Sequence, residues 1–302
     1  MPLREFAQSP TFGLRAELWA DRLYFGLPGQ PQSFPVSTSV GINGVAIFRK
    51  PADDDYIALL APAPKTFHET RLDESPLFAP QEFPGLPELV GQVLPGESFD
   101  RVGVMYVPDL SINLNAGAVV VGAMAGTAGP GVVWANGCNG FLTAGHVAIN
   151  VLKVTDQHGT LAGNTVHVFD PAHPSAWATP NVDVALIQVT RGAKITRFSA
   201  ANVPAYSIFG VDFHLSSMSS SNILAKIGWY VWPSSGTYID LYMTGGACTQ
   251  PGDSGGAVTL SGTSELIGMV VGGTKTFASF VQDIATQLAA LRTVTGLNSI
   301  AL

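Results

Sequence analysis

The chain has 302 residues, 46% of them hydrophobic and only 12% charged, with a formal net charge of −7. An acidic chain without Lys/Arg clusters argues against nucleic acid or an anionic membrane as partner, and no apolar run reaches the roughly 18 residues of a transmembrane helix. The 33 glycines and 21 prolines point to many turns between short strands.

The chain opens MPLREFAQSP, with one basic residue and no apolar stretch behind it. This does not read as a secretory signal and makes a cytoplasmic setting the expectation. Ser9-Pro10 has the form of a helix start, and the apolar positions Phe12, Leu14, Leu18, Trp19, Leu23 and Tyr24 are compatible with helical spacing. Val40–Phe48 and Tyr56–Ala61 read as a hairpin around the acidic stretch Pro51–Asp55. Residues 62–98 read as irregular, and Val102–Val107 as one more strand. Residues 1–111 are therefore expected to form a small α+β domain, regulatory or docking in role.

From residue 112 the texture changes to short β-branched runs between Gly, Ser, Thr and Asn clusters. Examples are Ala118–Val121, Gly131–Trp134, Val182–Val189, Ile227–Trp232, Ile239–Met243 and Leu266–Val271. This spacing predicts an all-β barrel or sandwich over 112–302. Phe280, Ile284, Leu288 and Leu291 predict a C-terminal helix.

Three segments carry chemistry: Phe141-Leu142-Thr143-Ala144-Gly145-His146, Asn181-Val182-Asp183, and Pro251-Gly252-Asp253-Ser254-Gly255-Gly256. A serine hydroxyl needs an adjacent base to become nucleophilic, and an imidazole that titrates near neutrality suits that role. The base in turn needs a carboxylate to fix its tautomer. His146, Asp183 and Ser254 supply the three groups, and the N–H groups of Gly252 and Ser254 supply an oxyanion site. The Gly252-x-Ser254-x-Gly256 pattern also fits the elbow of α/β-hydrolases, which requires the order serine, acid, histidine. All six histidines precede Ser254, so that order cannot be completed. His-Asp-Ser is the chymotrypsin-type order.

FLTAGH, ACTQPGDSGG and Gly268-Met269-Val270-Val271-Gly272-Gly273 together resemble the histidine, serine and pocket-strand segments of chymotrypsin-fold serine peptidases, nearest the bacterial streptogrisin and alpha-lytic group. The resemblance covers about 190 residues, from 112 to the end. It implies two packed six-stranded antiparallel β-barrels with the triad in the cleft between them. It also implies hydrolysis of peptide bonds through an acyl-enzyme, with a protein or peptide as substrate and no cofactor. Cys248, Thr249, Val271, Gly272 and Gly273 fall where the family binds substrate. No carboxylate lies between Ala247 and Pro251, so a small or apolar side chain before the cut bond is expected.

Departures from the family pattern bear on setting and control. Val147 stands where secreted members have cysteine, and the two cysteines, Cys138 and Cys248, do not reproduce the family's bridges. That fits a reducing compartment. Asp253 lacks the family's usual basic partner near His214-Leu215-Ser216. Arg191, Arg197, Lys226 or a new amino terminus near residue 112 are the substitutes to test. His167 and His173 lack zinc spacing, Asp53-Asp54-Asp55 reads as a solvated turn, and no metal is expected. The rival class is a catalytically silent binding module on the same fold.

Overall fold

The computed structural model describes residues 18–19, 22–25, 32–35, 41–49, 55–83, 102–110, 120–121, 124–134, 137–172, 181–189, 196–201, 212–215, 220–232, 234–295 and 302. The first strands are β1 (Leu18–Trp19), β2 (Arg22–Phe25), β3 (Gln32–Pro35), β4 (Gly44–Arg49), β5 (Asp55–Pro62) and β6 (Val102–Val107). Next come β7 (Val120–Val121), β8 (Ala125–Gly126), β9 (Gly131–Trp134), β10 (Cys138–Thr143) and a helical turn, α1 (Gly145–Ala148). They are followed by β11 (Lys153–Thr155), β12 (Leu161–Phe169), β13 (Val184–Val189), β14 (Ser199–Ala200), β15 (Asp212–Leu215) and β16 (Ser220–Trp232). The last elements are β17 (Gly236–Thr244), β18 (Ala257–Leu260), β19 (Glu265–Gly273), β20 (Ser279–Asp283) and the helix α2 (Ile284–Thr295).

The molecule is mainly β, as the strand-rich texture predicts, and a helix follows the last strand. Among the described residues its strands fall into a 3-stranded sheet (β1 to β3), a 7-stranded sheet in the order β8-β7-β11-β12-β13-β10-β9, and a 10-stranded sheet in the order β15-β18-β19-β20-β17-β16-β4-β5-β6 with β14 paired to β19 off that path. The two larger sheets are consistent with the expected two-barrel fold, with seven and ten strands among the described residues in place of six each. The second is enlarged because β16 is 13 residues long. Its first residues pair with β15, and Ala225–Tyr230 pair with β4. Strands β4 to β6 therefore cover part of an edge that would otherwise present unpaired N–H and C=O groups. β4 and β5 form the expected hairpin, with Gly44 opposite Leu60 and Arg49 opposite Asp55. The sheet runs across the boundary expected at 111/112, because β4 pairs directly with β16, β5 with β4, and β6 with β5.

Two helical expectations change. Residues 9–17 lie outside the described ones, and Leu18–Trp19 and Arg22–Phe25 pair as antiparallel strands. Short apolar runs satisfy either period, and an aromatic run such as Leu23-Tyr24-Phe25 favours a strand. At the other end Phe280 belongs to β20, which bonds to β17 and β19 on its two sides, and α2 begins only at Ile284. Asp283 stops the strand and starts the helix: its Oδ1 accepts the N–H of Ala285 at 2.7 Å and of Thr286 at 3.4 Å.

One buried cluster joins the two larger sheets, and another lies within the ten-stranded sheet and its loops. Leu142, Val184 and Leu186 of the first sheet, Leu266 and Met269 of the second, and Ile284, Leu288 and Leu291 of α2 form one buried cluster. Phe48, Leu60, Leu72, Met105, Val107 and Leu110 pack with Tyr230, Trp232, Val271, Phe277 and Phe280 in another.

Candidate active site

β10 and β13 are antiparallel neighbours, with Thr143 opposite Ala185. The end of β10 and the start of β13 therefore lie side by side. His146 follows β10 on α1, Asp183 precedes β13, and the pairing brings the two together from 37 positions apart. His146 Nδ1 lies 2.7 Å from Asp183 Oδ2, and the His146 N–H donates to Asp183 Oδ1 at 3.0 Å. Both are buried, His146 at 3% exposure and Asp183 at 0%. Burial works against the charged imidazole. The Asp183 charge and hydrogen bond, with a further push from Asp170, outweigh it and hold the His146 pKa above the ordinary 6.5.

Asp183 is itself held. Its N–H donates to Gln282 Oε1 at 2.8 Å, and Gln287 Nε2 donates to its carbonyl at 3.1 Å. Gln282 Nε2 reaches on to the carbonyls of Ile239 (2.8 Å) and Asn181 (3.2 Å). Gln282 of β20 and Gln287 of α2 thus fix the Asp183 backbone at the start of β13. No local pattern marks this contact, because Gln282 falls inside the helical spacing that runs from Phe280. Gly145 is tied to the same geometry. A Cβ there would run into the Phe169 carbonyl and come within 3.0 Å of Asp183 Oδ1.

Ser254 sits before β18 in a turn that touches the His146 side of the molecule. The Thr127 N–H donates to Ser254 O at 2.8 Å, and Thr127 Oγ1 donates to Gly252 O at 2.7 Å. Gly252 and Gly255 have φ of +94° and +88°, in the left-handed region where glycine is favoured. A Cβ on Gly255 would also press on Thr143 Oγ1 and on the amide N of Ala144, two residues ahead of His146.

Most N–H groups of this turn are consumed internally. Gln250 N–H donates to Asp253 Oδ2 (2.7 Å), Asp253 N–H to Gln250 O, Gly255 N–H to Val270 O and Gly256 N–H to Asp253 O. Among the described residues the N–H groups of Gly252 and Ser254 have no such partner. Nor, among those residues, does a hydrogen bond join Ser254 Oγ to His146. Asp253 is held locally by the Gln250 N–H. Lys226, one of its candidate partners, instead faces Asp240 at 3.8 Å and Asp283 at 3.9 Å. Arg197 is exposed, and Arg191 and residue 112 lie outside the described residues.

A pocket beside Ser254 is lined by Thr249, Gln250, Pro251, Val270, Gly272, Gly273 and Thr274. Three of the five expected substrate-binding residues, Thr249, Gly272 and Gly273, are in that wall. Val271 is not: strand alternation turns it to the opposite face, where it is fully buried in the core. Cys248 is behind the wall, its N–H donating to Ser279 Oγ at 2.9 Å. The same hydroxyl accepts the Thr249 N–H at 3.0 Å and lies 2.7 Å from Thr249 Oγ1. Neither cysteine forms a disulfide. Among the described residues no group of three or more His, Cys, Asp or Glu could hold a metal ion, and no helix is long and apolar enough to cross a membrane.

No protein-family model matches the chain, and no curated relative matches it. Solved structures similar to it are serine proteases of the chymotrypsin fold, the class that the motifs resemble. They include a glutamic acid-specific serine protease, 19% identical over 57% of this chain and 95% of its own, with a TM-score of 0.46. An alpha-lytic protease homologue, N4, is 19% identical over 59% and 96% of the two chains, with a TM-score of 0.45. A Nocardiopsis protease is 19% identical over 63% and 99%, also at 0.45.

Proposed function

We propose that the chain is a serine endopeptidase. The observation that carries this reading is the pattern of the Ser254 turn. Its internal hydrogen bonds leave the Gly252 and Ser254 N–H groups over, beside a turn that carries a buried imidazole–carboxylate pair. Two unpaired N–H groups at one turn make a binding site for an oxyanion.

In this reading Ser254 Oγ attacks the carbonyl carbon of the substrate peptide while His146 Nε2 takes its proton. Asp183 holds the opposite ring nitrogen and stabilises the imidazolium. The carbonyl oxygen becomes an oxyanion and receives the two N–H groups. The intermediate collapses as His146 passes its proton to the leaving amine, and water, activated by the same base, clears the acyl-enzyme. The pocket presents threonine hydroxyls, Gln250, Val270 and glycine, with no charged side chain. A small uncharged or apolar side chain before the cut bond fits it. The two unbridged thiols fit a reducing compartment such as the cytoplasm.

A second reading, a silent binding module, rests on the missing Ser254–His146 hydrogen bond. Such bonds are often long before substrate binds. Labelling with a serine-directed fluorophosphonate separates the two. The wild-type chain is expected to label and Ser254→Ala not to, with hydrolysis of an unblocked peptide falling by at least about 10⁴-fold. A folded wild-type chain that takes no label overturns the endopeptidase reading.

A further inference from the structure

The pocket wall is fastened from outside the region that resembles a peptidase. Glu69 Oε1 accepts the N–H groups of Thr276 (2.6 Å) and Phe277 (2.9 Å), and Thr276 Oγ1 donates to the Glu69 carbonyl at 3.3 Å. Three residues on, the Leu72 N–H donates to Phe277 O at 2.9 Å, and the Asp73 N–H to Gly245 O at 3.0 Å. Partial burial pushes the Glu69 pKa up. The two amides, with the Thr274 and Thr276 hydroxyls, more than offset this and hold the carboxyl below its ordinary range.

The loop that Glu69 grips runs from Thr274 to Ala278. Thr274 lines the pocket, and its Oγ1 accepts the N–H groups of Phe277 (2.9 Å) and Ala278 (3.1 Å). The Phe277 N–H is therefore shared between Glu69 outside the loop and Thr274 in the pocket wall. The Thr276 carbonyl accepts the Ala247 N–H at 3.0 Å, which ties the same loop to the segment before Ser254. Two positions before Thr274, Leu110 fills the space where a side chain at Gly272 would lie. Gly272 and the loop that begins at Thr274 thus lean on Leu110 and Glu69.

We propose that Glu69 is a specificity-determining positioning residue: by holding the 274–278 loop it sets the width of the substrate pocket. The inference rests on the endopeptidase reading and extends it to the N-terminal region. With Glu69 removed, the loop keeps its Ala247 and Leu72 bonds but loses the two carboxylate bonds at its tip. It moves outward, and the pocket accepts larger side chains.

The test compares wild type, Glu69→Ala and Glu69→Gln on peptides with alanine or phenylalanine before the cut bond. In Glu69→Ala the kcat/KM ratio of phenylalanine to alanine substrate is expected to rise on the order of tenfold, carried by KM. The rate of fluorophosphonate labelling at Ser254 should stay unchanged. Glu69→Gln keeps a carbonyl acceptor at the same reach and should restore the wild-type ratio. An unchanged ratio in Glu69→Ala, or an equal loss on both substrates, overturns the proposal. Hydrogen exchange in the Ser254→Ala background reads the clamp without catalysis. The Thr276 and Phe277 amides should exchange faster when Glu69 is replaced, and equal exchange overturns the clamp. A wild type that takes no Ser254 label sinks the endopeptidase reading, while the exchange experiment still decides the clamp.

Discussion

At His146 three effects compete, and their balance decides a pH dependence. Burial at 3% exposure alone would favour the neutral ring, but the carboxylate 2.7 Å from Nδ1 reverses that. A base must be neutral to take a proton, so activity should fall on the acid side with a midpoint above 6.5. Asp170→Asn removes one of the charges that raise the pKa, and the midpoint of kcat/KM against pH should move toward acid. A midpoint that stays in place would show that Asp170 does not act on the ring. The stability consequence has the opposite sense. A group whose pKa is raised by folding stabilises the fold fully below about 6.5, and that contribution is lost as pH rises through the folded-state value. Asp253 is settled by a nearer partner than any considered from sequence. Its carboxylate turns back to the Gln250 N–H, which ties Asp253 into the turn around Ser254.

At the scale of single elements, α1 leaves no room for a side chain at its first residue. Its first residue, Gly145, lies against the Phe169 backbone at the end of β12. Gly145→Ala forces backbone apart, because the obstructing atom is a carbonyl and not the end of a flexible side chain. Overpacking of this kind costs about 1–3 kcal/mol. A displaced His146 should also lower kcat on the order of 10²-fold. Thermal unfolding and steady-state kinetics on one preparation check both, and a variant with wild-type Tm and kcat would refute the account. β20 shows the converse, a strand whose neighbours override its local pattern. Phe280 and Ile284 are four apart, which is helical spacing, yet Phe280 is paired from both sides.

For the whole molecule, the question is whether residues 112–302 stand alone. Phe48, Leu60, Leu72, Met105, Val107 and Leu110 are all buried in the cluster that contains Trp232 and Phe280. Burying each contributes about 1.5–3 kcal/mol, which together is on the order of 10 kcal/mol. A domain's net stability is only about 5–15 kcal/mol. A chain that starts at residue 112 is therefore expected to lose cooperative unfolding, and circular dichroism with thermal melting tests this. A sharp transition near that of the full chain would mean that β4 to β6 are a dispensable addition. Trp232 makes the dependence concrete. Its Nε1 donates to Pro108 O at 3.3 Å, and its ring meets Tyr230, Tyr238 and Phe280 edge-on.

Much of the candidate site was legible from the chain alone because it is local. The run Gly252 to Gly256 carries its own turn, its own N–H groups and its candidate nucleophile within five positions. β10 and β13 announce themselves by short apolar runs next to His146 and Asp183. Strand pairing over long separations is not written in any local pattern. No period in the sequence says that β16 is long enough to accept β15 and β4 on one edge. None says that Gln282 reaches Asp183 or that Glu69 grips a loop 207 positions away. The sequence by itself determined the candidate site and the chemistry proposed for it, since the order and type of His146, Asp183 and Ser254 follow from residues and their immediate neighbours. Only the tertiary structure decided what supports that chemistry, because the supporting groups are ordinary residues whose meaning comes from the backbone amides and side chains that folding brings to them.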